Sequence, residues 1–249
     1  MRFYRFVVII ISYFIMSTSS ALTLPTPFSA NYEGYKYLFG KARATITLSR
    51  HGQYYIYTMK SKIRFLWYKN RVFDCSVLKI DDNTLKPIEH VHYETQNDKY
   101  NIQTKFNWEE GLAIADFQGR GKKTEFSIEG NAWDTMSIQV KLMDDVMNQR
   151  VNKGDQYQVV QLGRVLNWKI TDVSDGTTRI FDQRLNTISV SADFEDETTT
   201  LWFSREHHLV PVQMLVNDVL VNIVSDPDEA KIEVLEENEY SGEVPSCKL

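Results

Sequence analysis

The chain has 249 residues, a formal net charge of −5 and 43% hydrophobic residues, which is the composition of a folded domain rather than of a disordered or polybasic chain. The acidity is concentrated at the end: Asp226, Asp228, Glu229, Glu233, Glu236, Glu237, Glu239 and Glu243 face only Lys231 and Lys248. A near-neutral body with an acidic tail excludes nucleic acid as a partner class, because nucleic acid selects basic stripes.

The first residues have three parts. Arg2 and Arg5 make a short positive region, residues 6–16 form an apolar run broken by Ser12, and Ser19 and Ala21 are the small residues before a cut. This is the layout of a secretory signal peptide. The apolar run falls short of the roughly 20 residues that span a bilayer. The reading is a signal peptide over 1–21, a single β-rich domain over 22–225 and an acidic tail over 226–249, with a periplasmic location. Cys75 and Cys247 are the only cysteines. In an oxidising compartment they either form one bridge or stay as two thiols, and the sequence leaves this open.

In chain order, residues 30–38 read as a strand and Phe39-Gly40-Lys41 as a turn. Residues 42–48 alternate, with Ala44, Ile46 and Leu48 on one face and Thr45 and Thr47 on the other, the signature of a half-buried strand. Further strands are expected over 54–60, 72–80, 85–95, 100–108 and 112–117, separated by Asp81-Asp82-Asn83, Gln96-Asn97-Asp98 and Glu110-Gly111. Residues 131–150 break this period. Trp133, Met136, Val140, Met143 and Met147 fall at helical spacing, with Asn131 or Asp134 as cap and Asp144-Asp145 on an exposed face. Strands resume over 156–161 and 165–171. Asp175-Gly176 signals a two-residue hairpin between 168–173 and 178–182. Residues 187–194, 198–203, 210–216 and 219–224 complete the set. The expected fold is mainly β: a curved antiparallel sheet or partly open β-barrel with one long amphipathic helix.

Residues able to carry chemistry are sparse. His90 and His92 share a strand face, but no third ligand stands in fixed register, so no metal is expected. His207-His208 sits in a charged turn. There is no Gly-x-Ser-x-Gly elbow. The acid pairs Asp81-Asp82, Glu109-Glu110 and Asp144-Asp145 read as solvated. Gly119-Arg120-Gly121-Lys122-Lys123 reads as a flexible basic hairpin tip, able to touch anionic lipid or peptidoglycan. Neither an enzyme nor a cofactor is expected. The aromatic load has more functional pull. Trp67, Trp108, Trp133, Trp168 and Trp202, with Met136, Val140, Met143 and Met147, either fill the core or line an apolar gap between sheet and helix. The expectation is a binding protein for a lipid or other apolar or amphiphilic envelope ligand. The alternatives are an interaction scaffold for an envelope protein partner and an envelope-polymer hydrolase.

Several short pieces occur in an order that resembles an uncharacterised exported bacterial family, domain of unknown function 3108. They are Pro27-Phe28-Ser29-Ala30-Asn31-Tyr32, Gly40-Lys41-Ala42, Leu85-Lys86-Pro87, Phe106-Asn107-Trp108, Trp133-Asp134-Thr135-Met136-Ser137 with its Asp-x-x-Ser helix start, and Trp202 with Leu209-Val210-Pro211-Val212. The resemblance implies a periplasmic curved antiparallel sheet and supplies no catalytic residues. A looser similarity is to periplasmic lipoprotein carriers, whose half-open barrels hold an apolar cavity under several helices.

Overall fold

The computed structural model describes residues 23–36, 40–65, 67–81, 84–180, 182–195, 197–216, 219–224, 233–234 and 244–247. Residues 1–21, read above as a signal peptide, and most of the tail 226–249 lie outside the described residues. Sixteen strands are present: β1 (Phe28–Lys36), β2 (Gly40–His51), β3 (Tyr54–Phe65), β4 (Tyr68–Asp81), β5 (Thr84–Glu94), β6 (Ile102–Asn107), β7 (Leu112–Phe117), β8 (Lys122–Ser127), β9 (Ala132–Asp134), β10 (Gln156–Gln161), β11 (Arg164–Ile180), β12 (Gln183–Phe194), β13 (Glu197–Ser204), β14 (Pro211–Val216), β15 (Val219–Ile223) and β16 (Glu233–Val234). One α-helix, α1 (Ser137–Met147), follows β9.

All the strands belong to one sheet. The chain starts in its middle with β1 and meanders outward through β2 to β8 at one edge. It reappears at the opposite edge as β9 and returns through β10 to β15, which pairs with β1. Every pairing is antiparallel except β9 with β10. This order requires a curl. Laid flat at ~4.8 Å per strand, the two edges would stand roughly 65 Å apart. Yet Ser127 and Ala132 are joined by residues 128–131 alone, and so short a stretch reaches ~17 Å at most. Register shifts at Val77/Leu78, Ile170/Asp172 and Trp202/Phe203 are the local irregularities that let long strands bend. The result is an open, curved antiparallel sheet with its concave face folded round the helix.

The alternation seen in the sequence sets the inner face. Ile46, Leu48, Tyr57 and Leu78 from the first half, and Val190, Leu201, Phe203 and Val212 from the second, are buried in one cluster with Ile138, Val140, Leu142 and Met143 of α1. Buried tyrosines tie this core at their hydroxyls. Tyr32 donates to the Pro211 carbonyl at 2.6 Å, and Tyr57 donates to Gln139 Oε1 of α1 at 3.1 Å.

The helical segment is shorter than its periodicity suggests. Ala132–Asp134 is a strand, paired with Gln158, Val159 and Val160, so helix begins only at Ser137. Trp133 and Met136 are three apart, which fits a helix but also fits a three-residue strand followed by a turn. The Asp144-Asp145 pair, expected on a solvated face, is buried. Arg150 bonds Asp144, Lys141 Nζ lies by Asp145, and Tyr157 donates its hydroxyl to Asp145 Oδ2 at 2.9 Å. Burial raises the Asp144 carboxyl above its ordinary range, against the opposing charges of Arg150 and Lys141. Asp175-Gly176 is no hairpin. Strand β11 runs straight through it, with Gly176 opposite Thr187, and the turn comes after Ile180. The dipeptide favours a turn only where register allows one, and eleven ladder pairs between β11 and β12 outweigh that local preference.

Cys75 and Cys247 are joined, with S–S 2.01 Å, across 172 residues of sequence. Closing so long a loop in the unfolded chain is worth about 5 kcal/mol on the chain-entropy model. The tail is also held where Val234 and Glu233 of β16 pair with Phe28 and Ser29 of β1.

Met143 is fully buried in the cluster shared by α1 and both halves of the sheet. Met143→Asp is expected to lower unfolding stability by about 3–5 kcal/mol, because it places an unpaired carboxylate there. The denaturant midpoint measures this, and an unchanged midpoint would show that the helix face is not buried.

Candidate functional site

The register of the first half builds one wall of a cavity. Ile46 on β2, Met59 on β3, Asp74 on β4, His92 on β5 and Ile102 on β6 stand in a single row of cross-strand partners. The next row is Leu48, Tyr57, Ser76, His90 and Thr104. His90 and His92 therefore share the inward face, as their spacing implies, and Asp74 and Ser76 of the neighbouring strand lie beside them. The opposite wall comes from the second half. Trp168 of β11 stacks on Phe194 of β12 at a centroid distance of 4.8 Å, and Thr199 and Leu201 of β13 and Met214 of β14 continue it. Met136 and Gln139, at the start of α1, close the floor. The cavity volume is about 610 Å³, within the range of small-molecule sites.

The lining is mainly apolar, with Ser61, Glu94, Gln161, Glu197 and Thr199 set among the apolar residues and one compact polar cluster on the first wall. His92 Nδ1 lies 2.7 Å from Asp74 Oδ1. His90 Nε2 is 3.6 Å from the same oxygen, too far for a hydrogen bond. Behind them, Asp134 is wholly buried. Its Oδ2 accepts Ser76 Oγ–H at 2.8 Å and Ser137 Oγ–H at 2.7 Å, and its Oδ1 accepts the N–H groups of Met136 and Ser137, each at 2.9 Å. The Asp-x-x-Ser element thus satisfies free N–H groups at the helix start and binds the helix to β4 across the curl. Among the described residues, no three His, Cys, Asp or Glu side chains come together as a metal site.

Two pKa shifts follow. Burial favours the neutral forms of Asp74 and His90. For Asp74 the hydrogen bond with His92 and the charges of the two histidines outweigh burial, so its carboxyl is held below the usual range. For His90 the charges of Asp134 and Asp74 outweigh burial, so its imidazole is pushed up.

Four buried side-chain atoms among the described residues have no hydrogen-bond partner: His90 Nε2, Gln161 Oε1, Trp168 Nε1 and Thr199 Oγ1. All four residues line this one cavity. Buried polar groups are nearly always paired, and each orphan costs about 1–3 kcal/mol.

Of the candidate lining residues, the structure brings only Met136 and Trp168 to the cavity. Val140 and Met143 point into solid core. Trp133 is buried in the core, where its indole donates to Asn131 Oδ1 at 2.9 Å. Trp108 stacks on Phe106 and donates to the Pro87 carbonyl. Trp202 and Met147 are half-buried elsewhere, and Trp67 is 88% exposed at the β3–β4 turn. These positions are corrections to the expected lining set. A side chain reaches the gap only when its register row faces it, and residue type does not encode that. Asp74 and Thr199 were missed for the same reason: single polar residues in strands carry no signal until their cross-strand partners are known.

The family model described as Protein of unknown function (DUF3108) matches residues 28–220. The chain belongs to that family. The matched region runs from β1 into β15 and includes Asp134 and Ser137, so the family segment contains both walls of the cavity and the clasp behind it. No curated protein matches the chain.

The pH dependence of stability checks the cluster. The contribution of His90, whose pKa is raised, is present below its ordinary 6.5 and is lost as pH rises through the folded value. That of Asp74, whose pKa is lowered, is present above its ordinary 3.8 and is lost as pH falls through the folded value. The stability difference between wild type and His90→Gln should therefore be largest between these two ordinary values and shrink on the alkaline side. A difference that stays flat from acid to alkaline pH in denaturant titrations would contradict the coupling.

Proposed function

We propose that this protein is an exported, non-catalytic carrier that holds an amphiphilic molecule in the cavity between sheet and helix. The observation that carries this reading is that the residues bearing all four orphaned polar atoms line one mainly apolar cavity. An apolar chain suits Ile46, Met59, Ile63 and Leu201, while hydroxyl, amide or ether groups on the same molecule suit His90, Thr199, Trp168 and Gln161. Met59, Met136 and Met214 adapt to flexible chains. Export is supported by the three-part N-terminus in the sequence and by the Cys75–Cys247 bridge, which persists in an oxidising compartment. A periplasmic location follows from this reading, with a lipid or lipid-like molecule of the envelope as ligand.

Thr199→Val separates ligand binding from folding. Its hydroxyl is buried without a partner, so an apolar isostere should leave the stability of the ligand-free protein unchanged or raise it by up to about 1 kcal/mol. The same change should weaken saturable binding of an uncharged fluorescent amphiphile such as N-phenylnaphthylamine. Mass spectrometry of solvent extracts from natively purified protein should show a stoichiometric amphiphile. No extractable molecule together with no saturable probe binding would end the carrier reading. Turnover of envelope polymers that depends on Asp74 or His92 would replace it with the hydrolase reading.

A further inference from the structure

The outer face of the first half carries charge that neither the core nor the cavity uses. Residues 54–73 contain Lys60, Lys62, Arg64, Lys69 and Arg71 and no Asp or Glu. The ladder places Arg71, Lys62 and Arg43 opposite one another across β4, β3 and β2, and does the same for Lys69, Arg64 and Lys41. These residues alternate with Ala42, Ser61 and Ile63 of the cavity wall, so they point away from it. Six cations thus form two rows of three, with about 5 Å between strands and about 7 Å along them. Glu33 meets Lys41 at 2.9 Å and Arg43 at 2.6 Å. Lys62, Arg64, Lys69 and Arg71 are exposed and make no ion pair among the described residues. Like charges directly opposite each other destabilise a sheet, so an anionic partner would relieve a cost already built into the fold.

The same end of the molecule exposes apolar surface. Successive turns of the meander alternate between two ends of the sheet. Trp67 and Tyr68 at the β3–β4 turn, Tyr100 before β6, Leu162 between β10 and β11, and Val216 and Leu220 beside the β14–β15 connection all lie at the end where β1 finishes. They are six of the seven large hydrophobic residues exposed among the described residues. Tyr100, Leu162 and Val216 also line the cavity, so they mark its mouth. Of the carboxylates at this end, Glu195 pairs with Arg164 and Asp116 with Lys123, whereas Glu94, Asp98 and Glu197 make no ion pair among the described residues, so the cationic surface is confined to the β2–β4 side.

We infer that this end docks on an anionic lipid bilayer, with Trp67 and Tyr68 seated among the headgroups, the Lys/Arg rows against lipid phosphates and the cavity mouth turned to the membrane. Trp and Tyr favour the bilayer interface, and cationic side chains near an anionic surface gain attraction there. A second copy docked face to face does not fit here, because it would present the same cations. A nucleic acid offers phosphates but no apolar layer for Trp67, Leu162 and Leu220. No helix among the described residues is long and apolar enough to cross a membrane.

Flotation of the purified full chain with vesicles tests this. One set contains phosphatidylglycerol with phosphatidylethanolamine, the other phosphatidylcholine alone, each at low and high salt. With a formal charge of −5 overall, the protein binds an anionic surface only through a local patch. The expected result is flotation with the anionic vesicles and release by salt. The pair Lys62→Glu and Arg64→Glu should lower the bound fraction at least tenfold, roughly what reversing two surface charges implies. Trp67→Ala should weaken binding at unchanged salt dependence. The variants share the N-terminus of the parent, which separates the patch from the apolar first residues. They should also keep N-phenylnaphthylamine binding, so a failure of docking and a failure of the cavity reading give different results. No flotation, flotation indifferent to the charge reversals, or self-association abolished by Trp67→Ala without vesicle binding would each overturn the inference.

Discussion

The buried carboxylate of Asp134 holds two distant parts of the sheet to one another. It belongs to the last edge strand, yet it accepts a hydrogen bond from Ser76 near the middle of the first half. Its other bonds fix the first turn of α1. A charged oxygen pair in this setting is stable only if its donors are all in place, so helix start, edge strand and β4 are specified together. The neighbouring residue works on the opposite face. Ser76 points in to Asp134, while Cys75 points out to Cys247 and ties the C-terminal segment over β4. Two consecutive residues of one strand therefore anchor the far edge and the far end of the chain.

The cavity is a consequence of this closure. An eleven-residue helix is ~16 Å long, shorter than the strands it faces, and it is pinned at its N-terminus by Asp134. The part of the concave face beyond that pin is covered by no element among the described residues, and its rows open into the gap. Asp134 also sets the electrostatics there. Its charge, with that of Asp74, favours the protonated form of His90, whose Nε2 has no partner. One structural clasp thus supplies both the space and one of the polar contacts proposed for a ligand. The exposed aromatic and apolar residues at its open end lie beside the Lys/Arg rows.

Much of the architecture was legible in the sequence because it rests on local signals. Alternation in residues 42–48 located the inner face of β2, and the loss of that period after residue 131 located the helical segment. The failures came where a long-range partner overrides a local preference. Asp175-Gly176 stays extended because β12 pairs along its whole length. Ala132–Asp134 becomes a strand because β10 presents a free edge. Asp144 and Asp145 are buried because Arg150, Lys141 and Tyr157 converge on them. The site was harder still. The shared face of His90 and His92 was readable, but Asp74 joins them only through register. The cationic rows are spread over three strands of a chain whose total charge is negative, so composition conceals them.

A double-mutant cycle between Ser76 and Asp134 measures the clasp directly. Ser76→Ala, Asp134→Asn and the double variant are compared with wild type by equilibrium unfolding. Buried hydrogen bonds to a charged group contribute about 1.5–3 kcal/mol, and partners in one network are coupled. The expected coupling energy is at least ~1 kcal/mol, with the double variant little worse than Asp134→Asn alone. Strict additivity of the two substitutions would contradict the clasp and with it the closure of the sheet around α1.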